Sequence, residues 1–199
     1  MHIEEILSIK DLYFTPKKIA EVLDINYKSA IVSCHRYEKQ KLLIRIKRGI
    51  YTLSTKWGSL GSEELFRVAN ILEVPSYVSL QSALSYYGLS TQVQRDFVES
   101  ISVKRTKNIQ ICHREFVFSR ITKRLYSGFY KHNNFFIAEP EKAIIDALYL
   151  SSLNRYTLDL TAIDWDKISR KKVKSYLKSF PKYTKEHVAK CGIYQNMKR

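Results

Sequence analysis

The run Thr15–Leu53, TPKKIAEVLDINYKSAIVSCHRYEKQKLLIRIKRGIYTL, decides how the amino-terminal part of this chain folds. Thr15-Pro16 opens a helix, because threonine is a good N-cap and proline suits the first helical position, where its missing N–H costs nothing. Ile19, Ala20, Val22 and Leu23 supply the buried side of Lys17–Leu23. Asp24-Ile25-Asn26 is a short break, and Asn26 is placed to cap a second helix. The pattern predicts that helix from Tyr27 to Gln40, with Ala30, Ile31, Cys34 and Tyr37 facing inward. Leu42-Leu43-Ile44-Arg45-Ile46-Lys47 then alternates apolar and basic residues like a half-buried strand. Arg48-Gly49 supplies a turn, and Ile50-Tyr51-Thr52-Leu53 returns as the partner strand. Upstream, Ile3, Ile6, Leu7, Ile9 and Leu12 recur at roughly helical spacing and predict a stabilising first helix. Three helices and then a basic-tipped hairpin are the order of a winged helix-turn-helix.

In that geometry the third helix enters the major groove of double-stranded DNA. Side chains off its apolar face are Tyr27, Lys28, Ser29, Val32, Ser33 and Arg36. Lys28 and Arg36 have the reach for phosphates or guanine edges, while Ser29 and Ser33 are short enough to let the backbone approach. Lys47 and Arg48, at the hairpin tip, are expected to grip phosphates or enter the minor groove. The alternative is an ordinary solvated helix face, or a winged module that contacts only protein.

Charge supports the polyanion reading. The 199 residues carry a formal net charge of +15. Residues 1–56 contribute +5, residues 57–164 only +1, and residues 165–199 contribute +9, so the excess sits at the two ends. Basic surface of this kind releases counterions from DNA and makes binding salt-dependent. No run of about 18 apolar residues suggests a membrane span. The start, Met1-His2-Ile3-Glu4-Glu5, lacks the basic-then-apolar pattern of a secretory signal. Cys34, Cys112 and Cys191 are scattered and odd in number, which argues against a disulfide framework or a structural zinc site. The expected compartment is the reducing cytoplasm.

Lys56-Trp57-Gly58-Ser59-Leu60-Gly61-Ser62 is the best linker candidate, dividing the chain into residues 1–57 and 58–199. Beyond it, Ser62 to Leu72 reads as a helix ended by Pro75. The segment Tyr77–Leu89 holds another, with Ser79 as N-cap and Gly88 just past its end. Phe97–Val103 and Glu115–Ile121 alternate like strands, Phe135–Ala138 is a short apolar run consistent with a third, and Ala143–Leu150 is an apolar helix. The fold class is therefore α+β: an amino-terminal winged helix-turn-helix, then an α+β domain with a small, mainly antiparallel sheet, then a basic helical tail.

The Tyr77–Leu89 segment and the stretch Ile137-Ala138-Glu139-Pro140-Glu141-Lys142-Ala143-Ile144-Ile145-Asp146-Ala147-Leu148 resemble the two hallmark segments of AbiEi-family antitoxins. Arg48-Gly49-Ile50-Tyr51 at the wing also matches the usual form, and the similarity runs through essentially the whole chain in the right order. The resemblance implies a type IV toxin–antitoxin regulator of abortive infection. Its amino-terminal domain would repress its own operon by binding inverted repeats in its promoter, two copies to a site. Its carboxy-terminal domain would oppose a nucleotidyltransferase-type toxin without forming a stable complex. A solitary regulator of the same fold, without a toxin, is the alternative.

In the tail, Arg170, Lys171, Lys172, Lys174 and Lys178 lie outside an apolar stripe of Ile168, Val173, Tyr176, Leu177 and Phe180. They are either a second DNA contact or a solvated face. No Gly-rich phosphate loop, Gly-x-Ser-x-Gly elbow or His-Glu-x-x-His motif occurs, and His2, His35, His113, His132 and His187 share no ligand spacing. We expect no catalytic residues, metal or cofactor. The enzymatic alternative is a metal-dependent nuclease using Glu99, Glu139 or Glu141 with Lys104 or Lys142.

Overall fold

A computed structural model describes residues 3–92 and 94–197, and His2 of the sequence lies outside them. The first elements are α1 (Ile3–Leu7), α2 (Pro16–Leu23), α3 (Tyr27–Lys39), β1 (Leu43–Lys47), β2 (Ile50–Leu53), α4 (Ser54–Ser59) and α5 (Ser62–Leu72). Next come β3 (Ser76–Val78), α6 (Leu80–Tyr86), β4 (Phe97–Ser102), β5 (Lys107–Ile111), β6 (Arg114–Arg120), β7 (Phe129–His132) and β8 (Phe135–Ala138). Four helices complete the described chain: α7 (Pro140–Ser151), α8 (Arg170–Leu177), α9 (Lys182–Lys190) and α10 (Ile193–Asn196). The fold is mixed α+β. None of the described helices is long and apolar enough to cross a membrane. The chain forms two compact units, one running to Val68 and the other starting at Ala69, so the division falls inside α5.

The first unit is built on the packing of α2 against α3. Pro16 begins α2, and Thr15 has the extended backbone of an N-cap, but its hydroxyl makes no capping bond. Asn26 does cap α3, its side-chain oxygen accepting the Ser29 N–H at 2.9 Å. Between them Asp24 takes a left-handed conformation (φ 47°), which a short polar residue tolerates. The first helix is shorter than its apolar pattern predicts. After Leu7 the Ser8 hydroxyl donates to the Glu5 carbonyl and the Ile9 N–H to the Ile6 carbonyl, so the last turn closes on itself. Ile6, Ile9, Phe14, Ile19, Ala30, Cys34, Tyr37, Leu43, Tyr51 and Leu53 form one apolar core.

β1 and β2 pair antiparallel, with an irregularity between Arg45 and Lys47 that keeps Ile46 in the interior while Arg45 remains exposed. Gly49 turns the hairpin at φ +74°, a region closed to most side chains. Phe14 and Tyr51 exchange backbone hydrogen bonds of 2.8 and 2.9 Å, so the segment ahead of α2 lies alongside the hairpin. The expected linker over Lys56–Ser62 is not one. It is mostly the helix α4, and Trp57 within it is buried.

The second unit contains a six-stranded sheet in the order β5-β6-β4-β3-β8-β7. Its outer pairings, β5/β6 and β7/β8, and the central β3/β4 are antiparallel, whereas β4/β6 and β3/β8 run parallel. The sequence signals β4, β6 and β8. It gives no warning of β3, β5 and β7, which are short or half-exposed and so carry weak patterns. The basic tail is three helices rather than one continuous stripe. The first ends at Leu177 and closes in tight turns over Lys178, Ser179 and Phe180, Pro181 takes the N-cap position of the second, and Gly192 (φ +64°) separates the other two.

Candidate nucleic-acid interface

α3 turns one face to the core and the other to solvent. Ala30, Ser33, Cys34 and Tyr37 are buried, and Tyr27, Lys28, Ser29, Val32, His35, Arg36 and Lys39 are exposed. Ser33 must therefore leave the expected contact set. Its helical position falls on the edge of the core stripe, one turn before Tyr37, and only 8% of its surface is accessible. Ile31, expected inside, is only half-buried. Burial pushes the Cys34 thiol up to about 11, with Glu38 adding to the effect.

Among the exposed residues the geometry is uneven. Arg36 lies over the ring of Tyr37, its Cζ 5.0 Å from the centroid, and donates to the Tyr37 hydroxyl at 3.3 Å. That long bond holds the guanidinium beside the helix it comes from. Lys28 and Ser29 sit in the first turn, where the helix dipole favours phosphate oxygens. Lys47 closes β1 and is half-buried, whereas Arg48 is exposed at the turn.

Between α3 and the hairpin runs a cleft. Tyr27, Ile31 and His35 line one wall, Arg45, Arg48 and Tyr51 the other. The three helical residues are spaced i, i+4, i+8, which places them along one side of α3. Arg45 joins them because directly opposed residues of an antiparallel ladder share a face, which sets it beside Tyr51 on the cleft wall. Spacing alone carries half of this signal, but the strand register that supplies the other wall is a tertiary fact. The Glu38 carboxylate lies 3.6 Å from His35, which forms an ion pair when the imidazole is protonated.

The tail residues are less free than their sequence implies. Lys172, although exposed, donates to Glu139 at 3.0 Å with Glu141 at 3.8 Å, and those carboxylates hold its ammonium above the usual lysine range. Arg170 stacks on Tyr194, as does Lys174, at 5.5 and 5.7 Å from the ring centroid. Lys171, Lys174 and Lys178 are exposed. Lys172, Arg170 and Lys174 thus each have a partner within their own unit.

A different constellation lies buried in the second unit. The Lys142 ammonium donates to the Tyr77 hydroxyl at 2.8 Å and pairs with Asp146 one helical turn away. The Tyr77 hydroxyl and the Ser79 hydroxyl donate to Asp146 Oδ2 at 2.9 and 3.0 Å. All four side chains are shut off from solvent. Burial raises the Asp146 carboxyl and lowers the Lys142 ammonium, and their mutual attraction opposes both. Ser79 precedes α6 as expected, but its hydroxyl serves Asp146 instead of the helix. The cap comes from Glu99, whose carboxylate accepts the Gln81 N–H at 3.0 Å and the Tyr156 hydroxyl at 3.2 Å. Burial pushes Glu99 up to about 7.

Of the groups weighed for a nuclease, Glu139 and Glu141 meet at the Lys172 ammonium, and the others have separate partners. Glu99 caps a helix, Glu139 holds Lys172, Glu141 accepts the Ser169 N–H, Lys104 pairs with Glu73, and Lys142 with Asp146. Among the described residues no three His, Cys, Asp or Glu side chains are grouped to hold a metal ion. The chain matches no family model, no curated protein and no solved structure.

Proposed function

We propose that this chain is a double-stranded-DNA-binding transcriptional regulator whose first 57 residues act as a winged helix-turn-helix. The observation that carries the reading is the cleft between α3 and the hairpin, where Arg45 and Arg48 face Tyr27 and His35. A duplex backbone seated there meets guanidinium donors on one side. The adjoining outward face of α3, with Lys28, Ser29 and Arg36, then lies against the major groove. The strand register adds Arg45 to the hairpin cations Lys47 and Arg48. The sequence carries a net charge of +15, which adds long-range attraction for a polyanion.

The regulator acts on its own operon, two copies to an inverted repeat, and serves as the antitoxin to a nucleotidyltransferase-type toxin. This part rests on the AbiEi resemblance of three segments. Two of them meet in the fold, Tyr77 and Ser79 of one bonding Lys142 and Asp146 of the other, which supports treating them as one structural motif. Footprinting on the chain's own upstream DNA tests the first claim. The expected result is protection of an inverted repeat with affinity falling steeply as salt rises. Absence of protection, with weak and salt-independent binding, rejects it. Coexpression with a neighbouring nucleotidyltransferase-type gene tests the second. Rescued growth is expected, and unrelieved toxicity leaves a solitary regulator.

A further inference from the structure

Val32 stands out on the α3 surface. It is 67% exposed, more so than Tyr27 at 55%, and it sits in the middle of the outward face. On a helix of 3.6 residues per turn Lys28 lies one turn before it, Arg36 one turn after it, and His35 and Lys39 share its side. All four of those neighbours are exposed. A β-branched side chain is a poor choice for an exposed helical position, since it loses rotamer freedom without burying anything. An apolar group set among Lys28, Arg36 and Lys39 nevertheless suits one target. Phosphates flank a major groove whose floor presents a single apolar marker, the 5-methyl group of thymine.

We propose that Val32 reads a thymine 5-methyl group at the centre of each recognised half-site, while Lys28 and Lys39 are directed to the flanking backbone. The inference rests on the DNA-binding reading above and adds a base identity to it. Ser29 is too short and polar for that contact, and Tyr27 is turned into the cleft. Val32 thus covers the methyl group and excludes water from it, and a pyrimidine without the methyl leaves that surface wet.

The test uses the full chain and the duplex it protects on its own upstream DNA, synthesised with each thymine replaced singly by 2′-deoxyuridine. Fluorescence anisotropy gives the affinities. Wild-type protein should bind about fourfold more weakly at one thymine per half-site, the loss that one buried methyl implies. Val32→Ala and Val32→Ser, which remove the contact from both half-sites, should bind the thymine duplex about sixteenfold more weakly and show no further loss with deoxyuridine. The exposed position makes both variants safe for folding, which thermal unfolding verifies. A wild type indifferent to deoxyuridine everywhere, or a Val32→Ala variant that keeps the same sensitive position, overturns the assignment while duplex binding stands. Failure to protect any duplex instead removes the reading on which it rests, and the assignment with it.

Discussion

The ammonium of Lys142 and the phenolic oxygen of Tyr77 lie 2.8 Å apart although 65 residues separate them in the chain. The bond ties the last residue but one of β3 to the first turn of α7, and Asp146 closes the triangle. The phenol ring of Tyr77 also stacks on Phe129 at 4.4 Å, so the polar atoms sit beneath an aromatic cover. A buried ion pair contributes little net stability, yet removing one partner strands the other.

Lys142→Met should therefore destabilise the second unit by about 3–5 kcal/mol, because Asp146 is left charged and uncompensated. Lys142→Met combined with Asp146→Leu should recover a large part of the loss. Urea unfolding of the single and double variants measures both. Equal instability of the double variant would show that Asp146 is not the stranded group.

Glu99 gives stability a pH dependence of determinate sign. Its carboxyl titrates at about 7 in the folded chain, above the ordinary value of 4.5, so the native state holds the proton more tightly than the unfolded state. Below the ordinary value the group costs nothing. As pH rises from there through about 7, stability falls, reaching a deficit of about 3 kcal/mol. Glu99→Gln keeps an acceptor for the Gln81 N–H and carries no charge. The difference in urea midpoint between it and the wild type should grow in the variant's favour from pH 5 to pH 8. A constant difference would reject the buried carboxyl as its source.

Gly128 is held open by its neighbours. A Cβ there would lie 2.6 Å from a ring carbon of Tyr176 and 3.0 Å from Lys142 Cγ, and the backbone has φ +75°. Gly128→Ala should cost about 1–3 kcal/mol from overpacking, with left-handed strain added. Adding Tyr176→Ala should relieve the steric part alone. Thermal unfolding of the two variants separates crowding from backbone strain.

Lys47→Glu with Arg48→Glu should weaken binding to every duplex and reduce the slope of log affinity against log salt by about 2, one for each lost phosphate contact. Arg45→Ala should act in the same direction by about 1. Arg36→Ala, by contrast, should relax sequence preference more than overall affinity. An unchanged salt slope in the hairpin variants would remove the hairpin from the interface.

Two helices of the first unit, α2 and α3, and the hairpin after them are legible in the sequence because each has a local cause. Pro16 starts one, Asn26 caps the next, and Gly49 allows the turn that pairs β1 with β2. Their apolar spacing also places Ala30, Cys34 and Tyr37 in the core. Spacing without a register also misleads, as at Ile31, which is only half-buried. It sets Ser33 outside although that residue borders the core, and Gly58 and Gly61 suggest a linker where Trp57 anchors a helix. In the second unit β5 and β7 escape notice because strands at the sheet's edges carry mixed polarity.

Sequence alone thus determined where α2 and α3 begin, that a glycine-turned hairpin comes after them, and that cations gather at both ends of the chain. Those features depend on neighbours in the chain, on caps, turns and a 3.6-residue period. Only the tertiary structure decided that Arg45 faces His35 across a cleft, that Lys172 is occupied by Glu139, and that Lys142 is buried against Tyr77 and Asp146. Each of those pairings depends on strand register or helix packing between residues distant in the chain, and no local pattern encodes it.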